Sequence, residues 1–542
     1  MTYLRTWKKG KRLYFALVRT RRIKRGAKKG KVVQEVVRYI GTTKDLYEFI
    51  EDTENKIRLE DVSVTKVLEY GPIVLLHKIA TMIGLQEAIV KRCKENDAIP
   101  KLIEAISAYK AFKPLSKRKM AEDYPHTAFP MTLDLPQERF YPQAMCRAMD
   151  AIKNSDMNEI LSDMRNKLSL KHPVNVERML IDGSVITSEG TKCELLTYGY
   201  HPMGLKKKQI TIFLAVTEGE NIPVHLLIAK GNVKAYKVFH EILSDLKSVK
   251  RTFTTIVDNG FITAESLSDL RKLKIRIVTR LQHNSKVSKA VIRIVNGNFE
   301  EVTLYTGSKR EISRLVSWSE IKERLEPEFD EIYAGFCFIA YKSYATTEED
   351  HSAMRKKVEK AEKKLQNLKQ ECEAKKKRYN STMKAVFAIV GGIERFVVYK
   401  VEMTERGAKL EYEILWEKFN REEEMYEYVV LAKNVPDNSN VDMMDAYTKH
   451  YDIESVYRTL KSDIEIEPLR HWKKHRIESE IFLCVLALML RSTLAIFLKE
   501  NAIPLSVNKL LKKLEYVKLV ELNGKVMKES IEEVSELLSM VV

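Results

Sequence analysis

The chain has 542 residues, room for roughly three or four domains that each bury a core, which excludes a lone small binding module. Hydrophobic residues make up 44% and charged residues 31%, a globular rather than a disordered composition. Lys and Arg total 93 against 75 Asp and Glu, and the resulting +18 calls for a polyanionic partner, either nucleic acid or an anionic membrane surface.

In chain order the charge comes first. Residues 1–40 hold 14 Lys and Arg, with Arg21, Arg22, Lys24 and Arg25 among them, against the single acid Glu35, so 13 of the +18 lie here. Leu13–Val18 and Val32–Val37 read as strands, separated by the turn-forming Gly26 and Gly30. A small basic sheet of this kind suits phosphate contacts that position DNA without reading it; a solvated charged face is the plain alternative. The N-terminus lacks the positive-then-apolar order of a signal peptide, and Cys93, Cys146, Cys193, Cys337, Cys372 and Cys484 stand singly without a CxxC pair. The expectation is therefore a reducing, cytoplasmic setting, with neither a zinc ribbon nor a disulfide framework.

From about 65 to 175 the pattern is helical, as in Ile73–Met82 and Ala144–Ile152, with Pro114, Pro125, Pro130, Pro136 and Pro142 as punctuation. This layer binds DNA ends, dimerises or is structural filler. Strands dominate from 177 to 290: Met179–Ile181, Ile210–Val216, Val224–Ala229, Thr254–Val257 and Ile275–Thr279. Helical stretches Ala235–Val249 and Thr263–Leu273 precede the last two. Three strands followed by α-β-α-β predict a mixed α/β sheet.

Residues 291–425 read as an insertion. Val302–Tyr305, Phe336–Ala340 and Phe396–Tyr399 are strand-like and flank one charged helix over Glu348–Met383, whose thin stripe of Val358, Leu365, Leu368 and Cys372 fits a surface helix or a coiled-coil contact. The α/β pattern then returns with Tyr428–Ala432 and a helix after Val441. Ile481–Leu498 reads as a fully buried helix, because Arg491 interrupts it and its length is marginal for a membrane span.

Two of the strands end alike. Met179-Leu-Ile181 runs into Asp182-Gly183 and Thr255-Ile-Val257 into Asp258-Asn-Gly260, which places a carboxylate at the edge of a sheet, where open α/β sheets bind ligands. Asp-Gly and Asn-Gly are also ordinary turn signals, so each acid alone is ambiguous. On a helix over 447–461, Tyr447, His450, Glu454 and Lys461 fall within a sector of about 60°. Ile453, Val456, Tyr457 and Leu460 form the adjoining apolar stripe that docks the helix. A solvated helix edge with i,i+4 polar pairs satisfies the same geometry.

Asp182, Asp258 and Glu454, with Tyr-(2)-His-(3)-Glu-(6)-Lys across Tyr447–Lys461, resemble the DDE transposases of bacterial and archaeal insertion sequences. The closest branch is the insertion-sequence-four type with its Tyr-Arg-Glu-Lys signature. Leu180-Ile-Asp-Gly-Ser184, Tyr198-Gly-Tyr-His201, Gly231-Asn232 and Ile453–Lys461 support the resemblance, which spans roughly 177–495. His450 stands where the family usually has Arg, and Asn259 follows the second Asp where Arg is common.

The resemblance implies a ribonuclease-H-like α/β core with a mixed sheet, interrupted by an inserted domain and preceded by basic β-rich and helical DNA-binding regions. The divisions expected are 1–65 (basic, β-rich), 66–175 (helical), 176–290 (core with both Asp), 291–425 (insertion), 426–500 (core with the Glu454 helix) and 501–542 (helical). It implies that Asp182, Asp258 and Glu454 are catalytic and bind Mg²⁺, with Mn²⁺ able to substitute, so that no protein nucleophile is needed. Lys461 and His450 would contact phosphate, and Tyr447 would hold phosphate or stack on a displaced base. Lys206, Lys207 and Lys208 add backbone contacts or form a solvated turn, and Trp318 is a candidate for stabilising a flipped base. The implied partners are double-stranded DNA, as terminal inverted repeats and target, and a second copy of the chain in the active complex, with no membrane. A metal-dependent nuclease on the same fold and a non-catalytic, domesticated DNA-binding relative are the alternatives.

Overall fold

The computed structural model describes residues 2–22, 32–46, 64–93, 96–190, 192–201, 204, 206–283, 285–305, 307–342, 344–374, 378–404, 407–434, 440–522 and 525–529. The chain divides into two compact units, one of residues 1–75, 121–137 and 508–542, the other of residues 76–120 and 138–507.

The first unit contains two antiparallel three-stranded sheets. Thr2–Lys9, Arg12–Arg22 and Val32–Thr42 form one, and its first hairpin turns on Gly10 at φ +65°, a conformation glycine adopts without strain. Phe15, Ala16 and Val18 are buried, whereas the Trp7 ring packs against Tyr14 and Tyr39 at about 6 Å. The other sheet joins Val64–Glu69 to Lys518–Leu522 and Lys525–Glu529. Where a helical C-terminal region is expected, the described residues form a helix over Val507–Leu514 and strands over Lys518–Leu522 and Lys525–Glu529, and residues 530–542 lie outside the described residues. Lys518-Leu-Val-Glu-Leu522 is too short and too irregular in polarity to mark itself as a strand, and its partner strand comes from the far end of the chain, where a local reading cannot see it.

The second unit is built on a large mixed sheet. Its central strands are β1 (Arg178–Thr187), β2 (Lys208–Thr217), β3 (Pro223–Lys230), β4 (Thr254–Val257), β5 (Arg276–Arg280), β6 (Cys337–Lys342) and β7 (Tyr428–Lys433). They lie in the order β3-β2-β1-β4-β5-β7-β6. β1, β2 and β3 form an antiparallel meander, β4 runs parallel to β1, and β5 runs parallel to β4. This mixed α/β core is consistent with a ribonuclease-H-like fold carrying insertions. Helices α1 (Ala235–Val249) and α2 (Ala264–Leu273) make the crossovers. Phe239, Leu243, Leu246, Leu267 and Leu270 on them bury one face of the sheet against Met179, Ile181, Val257 and Ile277. The outer edge of β3 is covered by Asn158, whose amide accepts from Leu226 N–H at 2.8 Å and donates to its carbonyl at 3.1 Å.

Beyond the sheet lie α3 (Asn440–Thr448), α4 (His450–Arg458) and α5 (Lys474–Glu500). Among the described residues, α5 is the one helix long and apolar enough to cross a membrane, yet 89% of its apolar window is buried in the protein. Arg491 is accommodated there by Asp463 and the Ala111 carbonyl, at 2.7 and 2.6 Å. Burial alone would raise the carboxyl of Glu480, but Lys110 and Lys117 hold it well below the usual range.

The inserted stretch does two things. Glu300–Thr303, Lys309–Ile312 and β6 extend the large sheet. Helices Tyr344–Ala374 and Tyr379–Val390, the hairpin Val397–Thr404/Gly407–Ile414 and helix Trp416–Tyr426 enclose a separate core. The single helix expected over Glu348–Met383 is thus two helices, the second starting from the extended residue Arg378. Val358, Leu365, Leu368 and Cys372 face this local core, packed with Val386, Phe396, Leu410 and Phe419.

Candidate active site

Strand register assembles the site. Ile181 on β1 pairs with Val257 on β4, and Val257 pairs with Thr279 on β5, so Asp182, Asp258 and Arg280 are the next residues along one row across three parallel strands. Met179, Ile181 and Ile277 point to the α1–α2 face, so alternation sends Asp182 and Arg280 to the opposite one. There α4 packs on β1 and α3 on β5.

Tyr457 pins α4 to this row. Its hydroxyl donates to the Asp182 carbonyl at 2.7 Å and accepts from Leu214 N–H at 3.2 Å, the two residues paired between β1 and β2. Gly183 N–H donates to Asp182 Oδ1 at 2.7 Å, which fixes the carboxylate. Burial raises the Asp182 carboxyl to about 7 despite that bond, helped by the nearby Asp258 and Glu454 carboxylates. Burial also raises Glu454, with Arg458 opposing and Asp258 adding to the rise. The three acids are thus near enough to repel one another. Among the described residues, however, no three His, Cys, Asp or Glu side chains form a cluster that could hold a metal ion as they stand.

Tyr447 and His450 bracket Asp258. The Tyr447 hydroxyl donates to Asp258 Oδ1 at 3.4 Å, and its ring stacks on the His450 ring with centroids 6.0 Å apart and planes 14° from parallel. Both side chains are buried, and burial lowers the His450 imidazole while Asp258 opposes that shift, leaving it neutral near pH 7. His450 Nδ1 is buried without a hydrogen-bond partner.

The single helix expected over 447–461 is interrupted at Lys449 and widens into a π turn, Thr459–Asp463, which carries Lys461. One 100° projection does not run through it. The apolar stripe of Ile453, Val456, Tyr457 and Leu460 is buried as expected, and Glu454 is exposed.

The other sequence candidates lie elsewhere. Lys206 and Lys207 are exposed and Lys208 opens β2, six positions from Leu214 and hence about 20 Å along the strand from Asp182. Arg21 and Arg22 end the second N-terminal strand, and Lys24 and Arg25 fall outside the described residues. Trp318 is not available to a base: it is 5% exposed, stacks on Tyr333 at 5.6 Å and donates from Nε1 to Asp330 at 2.5 Å. Arg280 is absent from the sequence candidates, although its signal, an apolar strand ending in a charge, is the one that marks both aspartates. It lies close enough to Tyr447 and Tyr341 to act on both phenols.

Residues 177–490 match the family described as the transposase DDE domain. This match runs from just before β1 into α5 and covers more than half of the chain, so the chain belongs to that family. It is a transposase-class protein, of a family that cleaves and transfers DNA. No curated protein matches it. Among solved structures, it is similar to a cryo-EM structure of piggyBac transposase in a synaptic complex with hairpin DNA, at TM-score 0.40 and 10% identity over 82% of this chain and 79% of that one.

Proposed function

We propose that the protein is the transposase of an insertion sequence of the Tyr-Arg-Glu-Lys branch, cutting at terminal inverted repeats and joining the 3′ ends to target DNA, with Asp182, Asp258 and Glu454 as its catalytic acids. The observation that carries this reading is the register row: two carboxylates side by side on parallel strands, and a third on the helix docked across them, close enough to raise the first.

Three mutually repelling carboxylates with oxygen-only donors suit Mg²⁺, and Mn²⁺ as a substitute, so the residues fit the ion the family implies in donor type, although they are not drawn together into a closed cluster. When bound, such ions neutralise phosphate charge and activate water or a 3′-hydroxyl. The chain's own residues do the rest. Gly183 N–H and Tyr457 orient Asp182, and Tyr447 orients Asp258. Arg280 offers a guanidinium to phosphate on the same row, a role that neutral His450 cannot fill with a charge. Lys461 and the lysines at 206–208 add backbone contacts, the N-terminal basic sheet and the helical region hold the DNA ends, and two copies act together.

The test uses the purified chain, Asp258→Ala and Arg280→Ala on labelled duplex carrying the DNA that flanks its own gene, with Mg²⁺ added or withheld. The expected products on a denaturing gel are metal-dependent cuts with 3′-hydroxyl ends at inverted repeats, followed by strand-joined species. They disappear in Asp258→Ala and are slowed at least tenfold in Arg280→Ala. Cuts without joining leave a nuclease, and tight binding with no cut in Mg²⁺ or Mn²⁺ sinks the catalytic reading.

A further inference from the structure

Away from the acid row, Tyr198, Gly199, Tyr200, His201, Gly204 and Lys206 line an open hollow of about 660 Å³. Both tyrosine rings are turned to solvent, Tyr198 at 66% and Tyr200 at 84% exposure. Two neighbouring bare rings are uncommon for a residue whose ring area usually goes into packing.

The turn that carries them is held firmly. Thr197 and Tyr198 pair with Gln209 and Lys208 at the start of β2. Gln209, fully buried, donates from Nε2 to the Tyr200 carbonyl at 2.8 Å and the Gly231 carbonyl at 3.0 Å. A Cβ added at Gly199 would stand 2.1 Å from the Gly231 carbonyl oxygen, so backbone rests directly on backbone there. The rings are thus presented on a fixed platform beside the exposed Lys206 and Lys207.

Its place along the sheet is defined by register. Asp182 pairs with Leu214 and Tyr198 with Lys208, six positions apart on β2, or about 20 Å. A nucleic-acid strand advances about 3.4 Å per nucleotide, so that span corresponds to about six nucleotides.

We propose that this platform is a second DNA subsite, where Tyr198 and Tyr200 stack on a base about six nucleotides from the scissile phosphate while Lys206 holds an adjacent phosphate. The proposal rests on the acid row being the cutting site. The lysines supply charge complementarity to a DNA strand, and Tyr198 pairs with β2 on the edge away from β1, six positions along from the Leu214 that pairs with Asp182. Aromatic faces accept any base, so the contact anchors a strand rather than reading it.

The test is an abasic scan. Duplexes carrying the element's ends, each with one abasic position three to nine nucleotides from the cut on either strand, are bound in Ca²⁺ to wild type, to the double variant Tyr198→Ala/Tyr200→Ala and to Tyr200→Phe. Wild type is expected to lose about tenfold in affinity at one or two positions near the sixth nucleotide. The double variant should bind intact DNA about tenfold more weakly and be indifferent to the abasic site there, with Tyr200→Phe behaving as wild type. Equal binding of intact DNA by the double variant and wild type, or a loss independent of where the abasic site lies, overturns the subsite. Both side chains are exposed, so matching thermal unfolding curves confirm that each variant is folded. The underlying reading fails separately: if wild type makes no metal-dependent cut that Asp258→Ala abolishes, the acid row is not the cutting site. The abasic coupling is then still scored from the end of the repeat.

Discussion

A phenol hydroxyl placed between two strands ties the fold to the chemistry at the residue scale. Tyr457 reaches from α4 to the Asp182 carbonyl and the Leu214 N–H, so the helix that carries Glu454 is fastened at the residue that carries the first acid. Tyr457→Phe keeps the ring volume and leaves those two backbone groups short of a partner, at a cost of about 1–3 kcal/mol. The expected outcome is a folded protein with a lower unfolding midpoint and a drop in cutting rate larger than its drop in DNA affinity; equal losses in both would mean that Tyr457 does not position Asp182. The two aspartates are legible because an apolar strand ending in a carboxylate is a short-range pattern. Arg280 carries the same pattern with the opposite charge, and a cation at a strand end reads as a solvated edge until the register sets it beside the acids. Trp318 misleads for a different reason: a lone tryptophan gives no sign of which side of it is solvent, and here Tyr333 and Asp330 occupy both the ring and its N–H.

Elements are readable where periodicity is clean. The five core strands and the helices Ala235–Val249 and Ala264–Leu273 lie where alternation and amphipathic spacing put them. Thr2–Lys9, Lys518–Leu522 and Lys525–Glu529 are hidden by charge, since short charged strands look like tails until their partners are known. At the far end of β2, His172 donates to Glu220 in the β2–β3 turn at 2.7 Å and to Glu500 at the end of α5 at 2.6 Å. Burial opposes the imidazolium, but the hydrogen bonds to the two carboxylates outweigh it and raise the pKa above 6.5. A raised folded-state value means that this clamp stabilises fully below the unfolded value of 6.5 and is lost as pH rises through the folded one. Between about pH 6 and 8.5 the denaturation midpoint of the wild type should therefore fall more than that of His172→Gln; parallel profiles would show that the clamp does not titrate as described.

Over the whole molecule, 13 of the +18 charges lie in the first 40 residues, leaving +5 for the rest. Lys8, Lys9 and Lys11 are exposed around the hairpin turn at Gly10, the position from which cations reach phosphates. Replacing all three with Ser should flatten the log affinity against log salt plot by up to about three, near 0.9 for each phosphate no longer neutralised, with little change in sequence preference. An unchanged slope would place the DNA-binding surface elsewhere. The insertion between β5 and β7 bears on time as well as space. Asp182, Asp258 and Arg280 are all synthesised by residue 280, whereas Glu454, Tyr457 and the core-filling α5 come from beyond residue 450. A ribosome adding about 5–20 residues per second needs roughly 10–30 s to cross that gap. Throughout that interval the growing chain holds two of the three acids proposed for the site and lacks the helix that completes its core. On the proposed assignment of the three acids, a half-made copy is harmless to any DNA beside it, and the ability to cut arrives only with the helix that carries Glu454.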